Sequence, residues 1–379
     1  MKILKKYICL PIFVAALALT FTSCKDKKKE DEVTPENSFD KSGMLANISD
    51  NLIIPSYEKL KISIDSMQLL TNQFVANPTA VSLIDLQTKF LQAYTNYQDC
   101  STFEFGPGEN EMVRANFNIF PCDTGQINTN ISTGVYNLAT AENIDAKGLS
   151  ALDFLLFRFN QNTAQILANY ISDVNATNAK SYLASLMNEL KSKSDAVNTA
   201  WAVNGGNYGS TFKSNTGSDV GGSIGMLVNQ LNYDFELLKN AKIGIPLGKK
   251  TFGTPIPEKV EAYYSTQSLV LVTEHLKSIE NIYLGRNSQN ADGLGLDDYL
   301  AHAKAQHSLG LLNDVIKDQF TLAKTKLAAI PGALSQAVVS NAAIVDAAYA
   351  ELQKLVVLLK VDVPSALGIL ITYQDNDGD

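Results

Sequence analysis

Apolar residues recur at steps of three and four along most of this chain, and this spacing restricts the possible folds more than any other feature. Tyr57, Leu60 and Ile64, for example, follow one another on one face of a helix. No segment keeps the apolar–polar alternation of a half-buried strand over a comparable length. The spacing therefore predicts an all-α protein, with helices over residues 55–74, 83–97, 148–157, 163–202, 224–238, 260–283, 297–312, 311–329 and 341–361. The region 163–202 is either one long helix or two helices separated near residues 175–178.

Two irregular stretches interrupt this pattern. Residues 101–130 are rich in Gly, Pro and Asn, and a loop of that length inside a domain is often functional. Asn204–Gly222, with its glycine pairs among Ser, Thr and Asn, is typical of a domain boundary. We therefore expect two bundle-like halves, over residues 43–210 and 211–379.

The first 24 residues carry the pattern of an exported lipoprotein. Three lysines precede an apolar run from Ile8 to Leu19, and small residues follow before Cys24. This resembles a bacterial lipoprotein signal, whose cysteine becomes the lipidated first residue of the mature protein. We expect residues 1–23 to be removed, Cys24 to anchor the protein in a membrane of the cell envelope, and residues 24–42 to form a flexible, charged tether. The alternative is an ordinary cleaved signal that leaves Cys24 as a free thiol.

The net charge excludes one class of partner. The chain has a formal charge of -8 and a pI near 5.1, whereas proteins that bind nucleic acid need a basic surface for the phosphates. We therefore expect no nucleic-acid partner. The expected partners are a membrane, reached through the lipid on Cys24, and an unknown ligand or envelope protein. The outer membrane is the expected location, and the face on which the protein stands is left open.

Cys100 and Cys122 remain in the predicted mature protein besides Cys24. Exported proteins meet an oxidising environment, so we expect these two cysteines to form a disulfide. Closing this loop would contribute about 3 kcal/mol by the chain-entropy model. The alternative is a pair of buried thiols.

The apolar run Gly148–Phe157 contains a single charge, Asp153. A carboxylate among so many large hydrophobic side chains requires a partner, because its desolvation is costly. Ser150 lies three residues earlier, which places its hydroxyl on the same face of a helix as the carboxylate. We expect Arg114 to be the partner of Asp153, since a guanidinium can satisfy a buried carboxylate with paired hydrogen bonds. Without further support, Arg114 would be a surface residue of a loop.

Four pieces of sequence, taken together and in order, resemble the imelysin family of exported or lipid-anchored bacterial proteins. This family includes an insulin-cleaving metallopeptidase and periplasmic iron-uptake components. The resemblance implies two helical domains, each similar to a four-helix bundle, with the site between them. The pieces are Phe105-Gly106-Pro107 with Arg114 downstream, Gly148–Phe157, Ile245–Lys249 followed by Glu261–Ser268, and the ending from Ala366-Leu367-Gly368 to Asp377-Gly378-Asp379.

The chain departs from this family where metal chemistry would occur. Members credited with metal-dependent activity carry Gly-x-His-x-x-Glu, whose imidazole and carboxylate lie one helical turn apart and can reach one metal ion. Here Ser150 stands at the His position and Asp153 at the Glu position. A neutral serine is a poor ligand for zinc or iron. The three histidines, His275, His302 and His307, lack the spacing of a zinc-binding helix and are expected to be surface or packing residues.

The resemblance also raises Glu261 and Ser265 as candidates. They lie four residues apart, so on a helix they would face the same cleft, and the alternative is a solvated polar face. Ser150 is excluded as a hydrolase nucleophile, because the second glycine and the strand–turn–helix context of a nucleophile elbow are missing. We assign no catalytic residue and no metal ligand, although a divalent cation stays possible.

These observations predict an exported imelysin-like lipoprotein that binds a ligand between two helical domains without catalysing a reaction. Ser150, Asp153, Arg114, Glu261 and Ser265 are the residues expected to bind it. Two alternatives stay open. One is a metal-dependent peptidase with an altered set of ligands, and the other is a part in iron or haem uptake, which is suggested by the family's other members.

Overall fold

The computed structural model describes residues 38–372. The predicted signal peptide 1–23, the lipidation site Cys24, most of the tether 24–42 and the acidic ending from residue 373 lie outside this part of the chain. No helix within the described range is long and apolar enough to cross a membrane.

The fold is all-α, which confirms the prediction from the spacing of apolar residues. Before residue 215 the chain also makes a short 3-10 turn at Ala141–Asn143. The α-helices of this half are α1 (Lys41–Asn47), α2 (Ile54–Ala76), α3 (Ala80–Tyr97), α4 (Pro107–Asn110), α5 (Val113–Phe117), α6 (Thr124–Thr133), α7 (Gly148–Phe157), α8 (Thr163–Ile171), α9 (Ala176–Trp201) and α10 (Tyr208–Ser214).

The second half contains a 3-10 turn at Pro257–Lys259 and a two-stranded antiparallel hairpin, β1 (Gln306–His307) with β2 (Gly310–Leu311). Its α-helices are α11 (Ser223–Leu237), α12 (Ile245–Leu247), α13 (Ser268–Tyr283), α14 (Leu296–Ala303), α15 (Leu312–Ala328), α16 (Leu334–Ser340), α17 (Ala342–Val357) and α18 (Val363–Leu367).

Helices α2, α3, α7, α8 and α9 pack together and are called here the N-terminal helical group. Helix α2 lies against both α3 and α9, and buried aromatic rings fill the core between the helices. Phe74 and Tyr170, for example, meet edge to face with ring centroids 4.9 Å apart. The start of α3 is capped by Thr79, whose hydroxyl accepts a hydrogen bond from the amide of Ser82 at 3.1 Å.

Helices α11, α13, α15 and α17 form the C-terminal helical group. It meets the N-terminal group where α13 lies against α3. At the end of α1, the side-chain amide of Asn47 also donates to the carbonyl oxygens of Gly285 (2.7 Å) and Leu294 (3.0 Å). The described residues from Phe39 onward form one compact unit, and the division into domains 43–210 and 211–379 stays a prediction.

Three helices widen into a π-helical turn just before a proline. These turns precede Pro55, Pro246 and Pro364, and in each the residue before the proline donates its amide to a carbonyl five residues back. The wider turn accommodates a residue that has no amide hydrogen and whose ring would clash with the preceding turn of an α-helix. The π-helical turns span Ile48–Ile53, Leu238–Gly244 and Leu358–Asp362.

Two predicted helices begin or end elsewhere in the structure. The helix expected over residues 260–283 begins only at Ser268, because Ala262 and Thr266 adopt positive φ angles of 49° and 60° and cannot continue a right-handed helix. The helix expected over residues 297–312 ends at Ala303, after which the left-handed Lys304 leads into the hairpin.

Candidate functional site

Buried polar side chains line the boundary between the two helical groups. The segment after α3 contributes Gln98, Ser101 and Thr102, while α11 contributes Asp234 and α13 contributes His275. Each of these residues is at most 4% exposed. Polar groups buried this deeply need hydrogen-bond partners, and most of them find those partners across the boundary.

One cluster is organised around Glu261, which is fully buried. Its Oε1 accepts hydrogen bonds from the side-chain amides of Asn118 (2.7 Å) and Gln98 (3.2 Å). The ammonium of Lys242 lies 2.9 Å from Glu261 Oε2 and also donates to Gln98 Oε1 at 2.5 Å. Tyr94 extends the cluster by donating to Asn118 Oδ1 at 2.7 Å. The Glu261 cluster therefore joins α3, the following loop and the second half through a charge-balanced network.

A second cluster is organised around Asp234. Its Oδ2 accepts from His275 Nε2 (2.6 Å), Thr102 Oγ1 (2.8 Å) and Ser101 Oγ (3.0 Å). Its Oδ1 lies 3.5 Å from Nη2 of Arg114. Burial alone would raise the pKa of Asp234. The interaction with His275, followed by the charge of Arg114 and the Thr102 hydroxyl, outweighs this and keeps the pKa well below its usual value.

Burial favours the neutral form of the His275 imidazole. Burial lowers its pKa below the usual value, and Asp234 opposes this only in part. Its Nδ1 has no hydrogen-bond partner among residues 38–372, so a second proton there would be buried without an acceptor. Ser101 Oγ lies 3.2 Å from Nε2, the same nitrogen that contacts Asp234. A hydrolase triad places the acid and the serine on opposite nitrogens, and the Asp234 cluster therefore lacks that geometry.

A cavity of about 190 Å³, called here the interface cavity, opens beside the Asp234 cluster. Its lining combines charged and hydroxyl-bearing side chains with apolar ones, and both helical groups contribute to it. The π-helical turn at Leu238–Gly244 supplies two of its residues, Ala241 and Lys242. Its lining consists of Tyr97, Ser101, Arg114, Asn118, Ile119, Phe120, Tyr233, Asp234, Leu237, Ala241, Lys242 and His275.

Arg114 lies at the edge of this cavity. Its guanidinium packs 4.9 Å from the centroid of the Tyr233 ring and donates to the carbonyl of Ser101 at 3.3 Å. Its backbone amide donates to the carboxylate of Glu104 at 2.9 Å. Burial raises the pKa of Glu104 to about 7, against the lowering effect of Arg114. Of the five predicted ligand-binding residues, Arg114 is the one that lines the cavity.

The partner of Asp153 is not Arg114, which corrects the expectation from sequence. The two carboxylate oxygens of Asp153 accept hydrogen bonds from the backbone amides of Tyr264 (2.8 Å) and Ser265 (3.1 Å). The positive φ angles on either side of this pair, at Ala262 and Thr266, accompany the turn that presents both amides to one carboxylate. Burial nevertheless raises the pKa of Asp153 to about 7. Asp153 thus fastens helix α7 to the segment before α13.

Ser150 and Gly148 fix the start of α7 against the wall of the cavity. The hydroxyl of Ser150 donates a short hydrogen bond to the carbonyl of Ile119, a residue that lines the cavity. Gly148 has a φ of +75°, and a Cβ atom there would lie 2.5 Å from the carbonyl oxygen of Phe117. Only glycine therefore permits this close approach of the two backbones.

The residues at the metal-motif positions do not fit a metal ion. The Ser150 hydroxyl is engaged with a backbone carbonyl, and both oxygens of Asp153 are engaged with backbone amides. Within residues 38–372 no three His, Cys, Asp or Glu side chains lie close enough to hold a metal ion together. A bound zinc ion takes about four ligands, three or more of them from such side chains.

The expected disulfide is absent, because Cys100 and Cys122 are both free thiols in the structure. Cys100 is buried at the end of α3, where its Sγ lies 3.4 Å from the carbonyl of Tyr97. Burial raises the pKa of the Cys100 thiol and raises that of Cys122 to about 12. The structure therefore corresponds to the alternative drawn from the sequence, in which both cysteines are thiols. Their raised pKa values favour the protonated form.

Three residues of the site did not emerge from the sequence: Asp234, Lys242 and His275. Asp234 also lies in an apolar helical run, residues 224–238, but it shares that run with Glu236 and is not its single charge, as Asp153 is in 148–157. His275 was expected to be a surface or packing residue, whereas it is buried and its pairing with Asp234 connects α13 to α11. Glu261 and Ser265 are both buried, but they lie on an irregular turn before α13 and belong to different networks.

A sequence model of the imelysin family matches residues 53–360, which is more than half of the chain. The chain belongs to the imelysin family. This confirms the resemblance drawn from the four sequence pieces. An iron-regulated protein A from Synechococcus elongatus is 22% identical over 289 residues, which cover 74% of each protein.

Two solved structures share the fold of this imelysin-family protein. One, assigned as an iron-regulated protein A precursor from Parabacteroides distasonis, has a TM-score of 0.70 at 17% identity and covers 86% of this chain and 94% of its own. The other is an imelysin-like protein from Psychrobacter arcticum, with a TM-score of 0.61 at 15% identity and coverage of 88% and 97%. At these identities the similarity shows a common fold.

Proposed function

We propose that this imelysin-family protein is an exported, lipid-anchored protein that binds a small polar ligand in the interface cavity and does not convert it chemically. The proposal rests mainly on the hydrogen bonds that Ser150 and Asp153 form. The positions of the family's metal motif hold backbone groups of neighbouring segments here, while charged side chains gather around a separate cavity. The scaffold therefore supports a binding site better than a metal centre.

The lining of the cavity suggests the chemistry of its ligand. Arg114 and Lys242 provide cationic donors, and Tyr97, whose phenol hydroxyl can donate or accept a hydrogen bond, also lines the cavity. Asp234 and the unpartnered Nδ1 of His275 provide acceptors. At about 190 Å³ the cavity is smaller than the roughly 300–1,000 Å³ of pockets for drug-sized molecules. A small ligand that carries both an acidic group and a hydrogen-bond donor is complementary to it.

Export and a link to iron supply are also part of this proposal. The lipoprotein-like signal and Cys24 support anchoring at the outer membrane, and a structural relative assigned as a precursor supports export. The name of the Synechococcus relative, iron-regulated protein A, supports a role under limiting iron. Deletion of this protein should then reduce growth on limiting iron, and wild-type growth of the deletion strain would count against the link.

The alternative is a metal-dependent peptidase, which is the activity of some members of the family. The engaged donor atoms of Ser150 and Asp153 argue against it. Hydrolysis of a protein substrate that is abolished both by a chelator and by Asp153→Ala would establish the alternative and refute the proposal.

Binding in the cavity can be tested by filling it. Ala241 lines the cavity and carries no charge, so Ala241→Leu removes space without changing the electrostatics. Ala301→Leu on the exposed face of α14 is the matched control. Native mass spectrometry of the full-length protein, solubilised from envelopes in detergent, should show a small bound mass on the wild type and on Ala301→Leu. Occupancy should fall about tenfold or more in Ala241→Leu. Equal occupancy in both variants, or a wild type that carries no bound molecule, would contradict the proposal.

A further inference from the structure

Arg158 occupies a strained position directly after helix α7. Its φ of 43° and ψ of 115° lie in a region that residues with a side chain rarely adopt. A helix commonly ends in glycine at such a position, because glycine has no Cβ to clash. Strain of this kind costs on the order of 1–3 kcal/mol and persists where the surrounding structure enforces it, often at functional sites. The chain nevertheless places a large charged residue here.

The guanidinium of Arg158 has no anionic partner among residues 38–372. Its Cζ lies 3.9 Å from the centroid of the Phe154 ring. The side chain is only partly exposed, and burial lowers its pKa below the usual value. No residue within 38–372 forms a hydrogen bond or an ion pair with this guanidinium, and its Nε is both buried and unpartnered. The nearby Asp173 stays outside ion-pair distance and instead accepts from the amide of Asn175 at 2.7 Å.

A second donor without a partner lies beside it. Tyr264 packs against the same Phe154 ring, with centroids 5.0 Å apart. Its backbone amide is held by Asp153, but its hydroxyl forms no hydrogen bond with any residue that the structure describes. Burial raises the pKa of this hydroxyl well above the usual value, so it keeps its proton and remains a donor. Arg158 and Tyr264 therefore both pack against the Phe154 ring.

An aromatic surface adjoins these two donors. The rings of Phe159 and Tyr263 are stacked with centroids 5.0 Å apart, and Tyr263 meets Tyr264 edge to face at 5.2 Å. Phe159 is 49% exposed, although it directly follows Arg158. The exposed face of Phe159 and the neighbouring guanidinium can together contact a molecule that is both flat and negatively charged.

We propose that Arg158 and the hydroxyl of Tyr264 bind the carboxylate or phosphate of a small ligand whose flat apolar part packs on Phe159 and Tyr263. The guanidinium provides a forked set of donors that matches both anions. None of these four residues lines the interface cavity, so this anion site is separate from the ligand site proposed above. It does not depend on that site being correct.

Ligand-observed NMR on the full-length protein in detergent tests this site, with phenyl phosphate and benzoate as anionic probes and benzyl alcohol as the uncharged probe. Phenyl phosphate and benzoate should bind and benzyl alcohol should not. Arg158→Gln should weaken anion binding about tenfold or more, and Tyr264→Phe about three- to tenfold. Phe159→Ala should weaken the two aromatic anions but leave inorganic phosphate, followed by its own resonance, unchanged.

Two further variants test whether anion binding depends on the forked guanidinium and on this particular site. Arg158→Lys keeps the charge but loses the fork, so it should bind more weakly than the wild type and more tightly than Arg158→Gln. Ala301→Leu, on the exposed face of α14, should bind the anions like the wild type. The proposal is wrong if neither anion binds at about 10 mM, a concentration at which even weak sites are occupied. It is also wrong if Tyr264→Phe and the Arg158 variants all bind like the wild type. Should Arg158→Gln fail to fold, Tyr264→Phe and Arg158→Lys still decide the question.

Discussion

Nε2 of His275 lies 2.6 Å from Oδ2 of Asp234, and the two side chains are 1% and 2% exposed. This contact connects α13 to α11 within the C-terminal helical group. Ser101 and Thr102 donate to the same carboxylate oxygen from the loop after α3. The Asp234 carboxylate therefore holds both sides of the interface cavity in place.

Asp234→Asn should destabilise the protein most strongly at neutral pH. The pKa of Asp234 in the folded protein is below its usual value, so its contribution is present above about pH 4 and is lost as the pH falls below that value. Removing the charge of Asp234 leaves the guanidinium of Arg114 without the carboxylate that it faces. We expect this to lower the free energy of unfolding by about 3 kcal/mol at pH 7. Urea unfolding at several pH values measures this difference, which should shrink below pH 4. Asp318→Asn, at an exposed position, is the control. A deficit that does not change with pH would contradict the assignment.

Asp153 should produce the opposite pH dependence. Its folded-state pKa of about 7 lies above the ordinary 3.8, so its contribution is complete below about pH 4 and is lost as the pH rises through 7. Between about pH 4 and pH 7, the free energy of unfolding of the wild type should fall by up to about 1.4 kcal/mol per pH unit more than that of Asp153→Asn. Glu104 titrates in the same range, so Glu104→Gln must be measured alongside. Parallel curves for the wild type and Asp153→Asn would show that Asp153 is ionised throughout.

Gly148→Ala should disrupt the start of α7. An alanine at this position would have to adopt a φ of +75°, and its Cβ would lie 2.5 Å from the carbonyl oxygen of Phe117. Gly332 has a similar φ of +67° but no atom within 4 Å of the corresponding Cβ. We expect Gly332→Ala to cost about 1 kcal/mol, from the left-handed backbone alone, and Gly148→Ala to cost at least about 2 kcal/mol more. Chemical denaturation provides both values, and equal losses would rule out the close contact at Gly148.

The two thiols should be free in the unreduced protein. Alkylation of the denatured protein without reductant, followed by peptide mass spectrometry, should label both Cys100 and Cys122. In the folded protein both should react slowly, because burial raises the pKa of each thiol. The melting temperature should not respond to a reductant. A disulfide-linked peptide pair would restore the expectation drawn from the predicted oxidising compartment.

The positions of the helices could largely be predicted from sequence, because apolar spacing records which face of a helix is buried. Tyr57, Leu60 and Ile64, for example, were predicted to share one face of a helix, and all three are buried along α2. The turn around Glu261 could not be predicted, since residues 260–283 keep a helical pattern although Ala262 and Thr266 take positive φ angles. Tertiary contacts, including the hydrogen bonds to Asp153, accompany that conformation and leave no mark in the pattern.

The candidate site was predicted less well, because sequence identifies groups that need a partner but not which partner they find. Asp153 was correctly recognised as a buried acid, yet its partners are backbone amides, and amides are present at nearly every residue. Arg114 was recognised as the partner of a buried acid, but that acid is Asp234. Both acids lie in apolar helical runs, and only the three-dimensional structure distinguishes which of them lines the cavity.

The metal content of the purified protein tests the central claim most directly. Ser150 and Asp153 are engaged with backbone groups, so elemental analysis of the full-length protein, purified without chelators, should find no transition metal near one equivalent per chain. Asp153→Ala should give the same result as the wild type. About one equivalent of zinc or iron in the wild type, lost in Asp153→Ala, would contradict the account and restore the peptidase interpretation.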